Sequence, residues 1–198
     1  RLGNFVTARK AQKKIIEILE SDAKSSDYSK YAELCVIAAS GYVSPEAINA
    51  INKAISMDPQ NSQAGFYLSL LLLQENKITP ALKTWTKLIQ KEPSSSKWIK
   101  MLIPQIENLS ANFGTKLSGA QKSDLFNIRL IFLDVLETLE QKVEENGVTI
   151  EVWTSLIRCY QNLAFAKKVE TSIEKMRLYF SLSSSQIEQL EKIWTKND

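Results

Sequence analysis

The sequence predicts an all-α fold built from repeated helical hairpins, and three observations lead to that prediction. The 198 residues are dominated by helix-forming Leu, Ile, Lys, Glu, Gln and Ala, with only six Gly and five Pro. Apolar residues recur every three or four positions, as on one face of a helix. One apolar pattern also returns 34 residues further along the chain. Together these observations predict a solenoid (superhelix) of stacked hairpins that ends in capping helices.

The composition argues against several classes of function. Lys and Arg number 25 against 22 Asp and Glu, and this net charge of +3 does not indicate the clustered basic face that binds nucleic acid. Histidine is absent, which removes Ser-His and Cys-His nucleophile pairs and His ligation of metal or haem. No Gly-rich phosphate loop is present. We therefore expect no enzymatic activity, no cofactor or metal, and no nucleic-acid partner.

The two cysteines lie far apart in sequence, each within an apolar helical pattern. Cys35 and Cys159 form no CxxC motif and no metal-ligand spacing. This context favours two buried free thiols, and it leaves a disulfide between them open.

The repeat is clearest at two sets of seven positions that are 34 residues apart. The first set is Leu34, Cys35, Ala38, Ala47, Ile51, Ala54 and Pro59, and the second is Leu68, Ser69, Leu72, Ala81, Trp85, Leu88 and Pro93. Every position holds a small or apolar residue, and each set ends in proline. This spacing resembles the tetratricopeptide (TPR) pattern W-x2-L-G-x2-Y…A-x3-F…P. It predicts TPR-like hairpins over 28–57 and 62–92.

The chain before these hairpins is predicted to contain a truncated first hairpin over 1–21. Gly3 would end its first helix, and the second helix would turn four apolar residues inward. Those residues are Ala8, Ala11, Ile15 and Ile18. At the next hairpin, Ser44-Pro45-Glu46 supplies an N-cap, a proline at the first helical position and an acidic residue in the first turn.

The chain after the second repeat continues as a helix over 95–109, which we expect to be kinked or broken near Pro104. Residues 1–113 would form one TPR array, 110–122 a linker, and 123–198 a second region. That region would contain a long helix, a TPR-like hairpin over 150–180 and a C-terminal capping helix. The hairpin is predicted from Trp153, Leu156, Ile157 and Tyr160, followed by Val169 and Ile173.

Residues 28–98 carry a more specific resemblance. They contain Glu33 before a small-residue segment, "GYVSPEA" at 41–47, "FYL" at 66–68, and two tryptophans, Trp85 and Trp98. With these features the chain resembles the periplasmic TPR region of the cytochrome c biogenesis family CcmI/CycH. Gly65 and Ser69 depart from that family's pattern.

This resemblance implies a non-catalytic, chaperone-like domain in c-type cytochrome maturation. Such a domain would capture apocytochrome c, largely through the cytochrome's C-terminal helix, and pass it to the haem-ligation complex and other maturation subunits. It would lie in the periplasm, and an inner-membrane anchor would precede Arg1, so we expect the chain to be part of a longer protein. The alternative is a generic TPR scaffold that binds an unrelated protein.

The candidate peptide-binding groove is predicted on the first helix of each hairpin. Its residues are Val36, Phe66, Leu70, Leu73, Gln74, Arg158 and Asn162. Positions 66, 70 and 73 form one stripe, which suits the apolar face of a bound helix. Core packing of that stripe, and simple solvation of the polar residues in the third hairpin, remain alternatives.

Overall fold

A computed structural model describes residues 2–145 and 149–195 of the chain. Within these residues all regular structure is helical, which confirms the predicted all-α fold class. The helices are α1 (Leu2–Leu19), α2 (Ser25–Ala38), α3 (Pro45–Met57), α4 (Ser62–Gln74), α5 (Ile78–Lys91), α6 (Lys97–Ala111), α7 (Phe113–Lys116), α8 (Gly119–Lys122), α9 (Leu125–Glu145), α10 (Ile150–Asn162), α11 (Ala166–Phe180) and α12 (Ser184–Thr195). Of the helices so described, none is long and apolar enough to cross a membrane.

The chain divides into two compact units, Arg1–Leu88 and Ile89–Asp198. The segment predicted as a linker, 110–122, lies inside the second unit, where it contains the one-turn helices α7 and α8. Phe113 and Leu117 in this segment are buried, and the Phe113 ring lies 5.8 Å from the ring of Phe132. The segment is therefore packed into its unit, because its apolar side chains contribute to the core.

Turn and cap residues fix the hairpins of the first unit. The Ser44 hydroxyl accepts a hydrogen bond from the Ala47 amide at 3.3 Å, and a proline stands at the first position of α3. The chain reverses between α2 and α3 at Gly41, whose φ of +95° lies in the left-handed region that glycine adopts without strain. At the start of α4, the Asn61 side chain accepts from the Ala64 amide at 2.9 Å. Local sequence thus sets where α3 and α4 begin.

The second helices of the two repeats bury equivalent triplets. These triplets are Ala47, Ile51 and Ala54 in α3, and Ala81, Trp85 and Leu88 in α5. All six side chains are at most 5% exposed, as the 34-residue spacing predicts. Small residues in these triplets let neighbouring helices approach closely. The departure at Gly65 is compatible with this packing, since a Cβ there would lie at ordinary contact distance, 3.8 Å, from Leu88 Cδ1.

Helix α1 differs from the prediction in two respects. Gly3 lies inside α1 and does not end a helix there. The predicted inward face is also wrong, because Ile15 is 45% exposed and Ile18 is 70% exposed. Helix α1 packs on α2 through another face, where Gln12 Nε2 donates to the Asp27 carbonyl at 3.3 Å. The apolar spacing therefore occurs in α1 without the burial that it predicts at Ile15 and Ile18.

The second unit has a core formed by α6, α9, α10 and α11. Helix α6 runs through Pro104 as one element and is not broken there. Helix α10 buries the four residues from which its hairpin is predicted, Trp153, Leu156, Ile157 and Tyr160. Helix α9 buries a stripe at helical spacing that contains Ile128, Phe132, Val135, Leu136 and Leu139.

Helix α11 turns the predicted face inward, but its most deeply buried residues are neighbours of the predicted pair on that face. Val169 and Ile173 are only half-buried, whereas Ser172 and Met176 are fully buried. The reason is a buried carboxylate on α9, since the Ser172 hydroxyl donates to Glu140 Oε1 at 3.2 Å. A buried charge needs hydrogen-bond donors, so the helix turns its serine inward.

Glu140 is the centre of a polar network in this otherwise apolar core. It is 3% exposed, and it accepts from the Tyr160 hydroxyl at 2.8 Å and from Lys175 Nζ at 3.0 Å, besides Ser172. Burial and the Glu140 charge raise the pKa of Tyr160, so its hydroxyl keeps the proton that it donates. The network joins α9, α10 and α11.

Candidate protein-binding surfaces

The predicted apolar stripe on α4 is only partly accessible. Val36 and Phe66 are each 3% exposed, so they belong to the interior of the first unit. Leu70 and Leu73, which continue the same helix face toward the end of α4, are half-buried and keep accessible surface. The part of the stripe that a partner can reach is therefore its C-terminal half.

Gln74 holds the turn between α2 and α3. Its Oε1 accepts from the Val43 amide at 3.0 Å, and its Nε2 donates to the Gly41 carbonyl at 2.8 Å. This pair of hydrogen bonds satisfies two backbone groups of the turn that no helix satisfies. The side-chain amide is thus engaged within the first unit.

The two polar candidates in the third hairpin lie in the second unit and face α6. Arg158 forms an ion pair with Glu107, and Asn162 Nδ2 donates to the Ser110 hydroxyl at 3.0 Å. The Ser155 hydroxyl adds a hydrogen bond to Glu107 at 3.3 Å. These contacts join α10 to α6 within one unit, whereas the apolar candidates belong to the other unit.

A groove lies between α1, α2 and α3, with a volume of 280 Å³. We call it the α1–α3 groove. It is lined by Lys13, Ile16 and Glu17 from α1, Tyr28 and Tyr31 from α2, and Glu46, Asn49, Ala50 and Lys53 from α3. Its floor is apolar and aromatic, and charged side chains stand on both rims.

Glu46 is the most heavily paired group in the α1–α3 groove. It accepts a hydrogen bond from the Tyr31 hydroxyl, and it lies 3.6 Å from Arg9 and 3.8 Å from Lys13. Burial and this hydrogen bond raise the pKa of Tyr31 well above its usual value, so the hydroxyl remains a donor. Behind them, burial raises the pKa of the Cys35 thiol to about 11. The negative charge of Glu46 is therefore already compensated.

Lys53 stands on the α3 rim of the same groove. Its Nζ lies 6.0 Å from the centroid of the Tyr28 ring, within the range of a cation-π contact. On the α1 rim, Glu17 pairs with Lys14 at 3.3 Å. The groove thus combines an apolar floor with a cation whose described contact is an aromatic ring.

The sequence does not predict this groove, although it contains one signal for it. Tyr28 and Tyr31 are three residues apart and therefore share a face of α2. Their role depends on the placement of α1 beside them, which the 34-residue pattern does not report.

Helical hairpins with buried small-residue contacts define the class of protein: an all-α protein of the helical-repeat type. In the described part of the chain, no cluster of His, Cys, Asp or Glu could hold a metal ion. Cys35 and Cys159 are free and buried, as their sequence context favours.

Comparison with curated proteins finds two whose sequences are similar to this chain. The chain is 26% identical over 172 residues to the cytochrome c-type biogenesis protein CycH of Rhizobium meliloti, which covers 81% of the chain and 45% of that protein. It is 23% identical over 198 residues to CycH of Bradyrhizobium diazoefficiens, covering 97% of the chain and 53% of the relative. The chain is therefore similar to two CycH proteins, in agreement with the resemblance to the CcmI/CycH family that its sequence carries. It spans about half the length of these relatives.

No protein-family model and no solved structure matches the chain. The relationship to CycH consequently rests on the two sequence matches, and the description of the fold rests on the structure itself.

Proposed function

We propose that this chain is a non-catalytic, protein-binding domain that acts in c-type cytochrome maturation by capturing apocytochrome c. The observation that carries the proposal is homology to two proteins named for cytochrome c-type biogenesis. Capture through the C-terminal helix of the apocytochrome, with delivery to a haem-ligation complex, is the specific form that we propose.

The accessible end of the α4 stripe supports a helix-binding role. Leu70 and Leu73 lie on one face of α4, and paired apolar positions of this kind receive the apolar face of an amphipathic helix. A helix of an unfolded cytochrome exposes such a face, since it lacks the core that would cover it. We assign the direct contacts to these two leucines. Val36, Phe66 and Gln74 would support them from inside the first unit.

The proposal also covers the setting of the domain. We propose that the complete protein is anchored in the inner membrane and holds this domain in the periplasm, beside other subunits of the maturation machinery. The chain contains no histidine, so His ligation of haem would belong to those partners.

Calorimetric titration with apocytochrome c, holocytochrome c and a peptide of the cytochrome's C-terminal helix tests the function. We expect the apo form and the peptide to bind with a Kd of about 1 μM, and the holo form to bind at least ~10-fold more weakly. Leu70→Asp and Leu73→Asp should each weaken peptide binding ~10-fold or more, because a carboxylate would face the apolar helix. Leu178→Asp, at a position 77% exposed in the second unit, is the matched control.

Two results would reject the proposal. The first is a folded chain, by circular dichroism, that binds neither the apocytochrome nor its peptide. The second is equal affinity for apo and holo forms, which would favour a general helical-repeat scaffold with another partner.

A further inference from the structure

Helix α1 carries an apolar stripe on an exposed face. It consists of Ala11, Ile15 and Ile18, which are spaced four and three positions apart and so share one side of the helix. We call these three residues the α1 stripe. All three are exposed, whereas Gln12 and Ile16 on the neighbouring face, which packs on α2, are half-buried. Helix α2 therefore covers only part of the apolar surface of α1.

The same spacing is fully buried in the next hairpin. Ala47, Ile51 and Ala54 in α3 are also four and three positions apart, and each is 0% exposed. Helix α3 packs against two helices, α2 before it in the chain and α4 after it. At one end of the triplet, the Ser25 hydroxyl of α2 donates to the Ala54 carbonyl at 2.8 Å. The helix that precedes α3 in the chain thus lies against its apolar triplet.

Among the described helices, α1 has only the second kind of neighbour. It packs against α2, which follows it in the chain. The two hairpins of the first unit are made of consecutive helices, joined by the short connections 39–44 and 75–77. Helices that are consecutive in the chain are usually adjacent in space. By this arrangement, the helix suited to cover the α1 stripe is the one next to α1 on its N-terminal side.

We propose that, in the complete protein, the segment directly preceding Arg1 forms a helix that packs on the α1 stripe. Helix α1 is then the second helix of a complete hairpin. The relatives have room for such a segment, since the chain spans 45% and 53% of the two CycH proteins. Stacked repeats also bury their apolar faces against their neighbours, which an uncovered α1 stripe does not do.

Helix α2 shows what the covering helix should resemble, because it holds the corresponding place against α3. It has 14 residues and turns Ala32, Cys35 and Val36 inward. We therefore expect an amphipathic helix of similar length with small and apolar side chains on its inward face. This inference shares with the proposed function only the assumption of a longer protein, and it uses none of the residues assigned to apocytochrome contact.

Cysteine labelling tests whether the α1 stripe is covered. Ile15→Cys and Ile18→Cys are each made in the 198-residue chain and in the complete protein. Met57→Cys, at an apolar position of α3 that is 44% exposed, is the matched control. Each protein reacts with a maleimide, and mass spectrometry of the peptide that carries the new cysteine gives the labelling rate. The native Cys35 and Cys159 are buried and lie in other peptides.

In the 198-residue chain, the three new cysteines should react at rates within ~3-fold of each other, because all three positions are exposed. In the complete protein, the cysteines at positions 15 and 18 should react ~10-fold or more slowly, since labelling then requires local opening of the covering helix. The rate at position 57 should not change. Deleting the ~20 residues before Arg1, one helix and a short connection, should restore fast labelling.

Three results would overturn the proposal. Equal rates at positions 15 and 18 in both proteins would show that the stripe stays open. Protection that survives deletion of the preceding segment would assign the cover to another part of the protein or to a partner. Slow labelling in the 198-residue chain that is relieved by dilution would assign the stripe to contact between two copies. None of these readouts depends on apocytochrome binding, which the calorimetric titration tests separately.

Discussion

Two isoleucines with the same predicted role have opposite environments, and replacing each by alanine tests the packing of α1 against that of α3. Ile51 is 0% exposed in the α3 triplet, whereas Ile18 in α1 is 70% exposed. Ile51 follows Ala47 by four positions and Ile18 follows Ile15 by three, and each spacing predicts an inward face. The structure predicts a large loss of stability for Ile51→Ala and almost none for Ile18→Ala.

The magnitudes follow from burial. Ile51→Ala removes three buried carbons and leaves a cavity. Such a change lowers the free energy of unfolding by about 2–5 kcal/mol, and a fully buried site lies in the upper half of that range. For Ile18 the same three carbons, at about 0.8 kcal/mol each when fully buried, are buried by only about a third, so the loss is about 0.7 kcal/mol. Alanine's higher helix propensity offsets part of this.

The assay is urea denaturation followed by far-UV circular dichroism on the wild-type chain and both variants. A large shift of the midpoint is expected for Ile51→Ala, with wild-type behaviour for Ile18→Ala. Equal losses for the two variants, or a loss above about 1.5 kcal/mol for Ile18→Ala, would refute the reasoning, because the exposed face of α1 would then be covered in solution.

Three further predictions concern polar groups. Glu140→Leu should lower the free energy of unfolding by about 2–4 kcal/mol, because it leaves the hydroxyls of Tyr160 and Ser172 without an acceptor. Glu140→Gln should lower it less, and urea denaturation measures both variants. Gln74→Ala should lower the free energy of unfolding by about 1 kcal/mol and speed hydrogen exchange of the Val43 amide. Gln74→Glu should keep that amide protected, because a carboxylate still accepts its hydrogen bond. Burial raises the pKa of Cys159 to about 12, above that of a thiol in the unfolded chain. The free energy of unfolding should therefore fall as pH rises above about 9, by up to ~1.4 kcal/mol per pH unit. Denaturation at several pH values measures this slope, and Cys159→Ala should flatten it.

The helices and the buried triplets could be predicted from sequence because their signals are local. An N-cap at Ser44, followed directly by proline, specifies where α3 begins, and a helical period specifies which of its residues share a face. Repetition after 34 residues then shows that the face is buried in both hairpins. The same pattern failed for Ile15 and Ile18 because a period identifies a face but not the partner that covers it.

The face of α11 illustrates a second limit. Apolar periodicity identifies Val169 and Ile173 on the inward face of α11, but it does not predict that Ser172, on the same face, is buried more deeply than either. The cause is Glu140, 32 residues earlier, whose buried carboxylate accepts hydrogen bonds from Ser172 on α11 and from Tyr160 on α10. Periodicity treats serine as neutral, so it cannot report a demand that arises only when two helices meet.

The candidate site was predicted unevenly for a related reason. Helix geometry places Leu70 and Leu73 on one half-buried face of α4, and their binding role stays a prediction. The same role was predicted for Gln74 and Arg158, which instead bind partners inside their own units. A polar side chain near a helix end can either bind a partner protein or form a hydrogen bond or ion pair within its own unit. The position of the nearest backbone group or counter-ion decides which of the two it does.

This distinction also bears on which candidate residues can contact a partner. A side chain that already completes a turn or an ion pair cannot be released to a ligand without leaving its partner unsatisfied, at a cost of about 1–3 kcal/mol. The side chains of Leu70 and Leu73 make no hydrogen bond or ion pair, so a partner can contact them without that cost. Recognition by this chain should therefore concentrate on such positions, and substitutions at Gln74 or Arg158 should lower stability before they lower affinity.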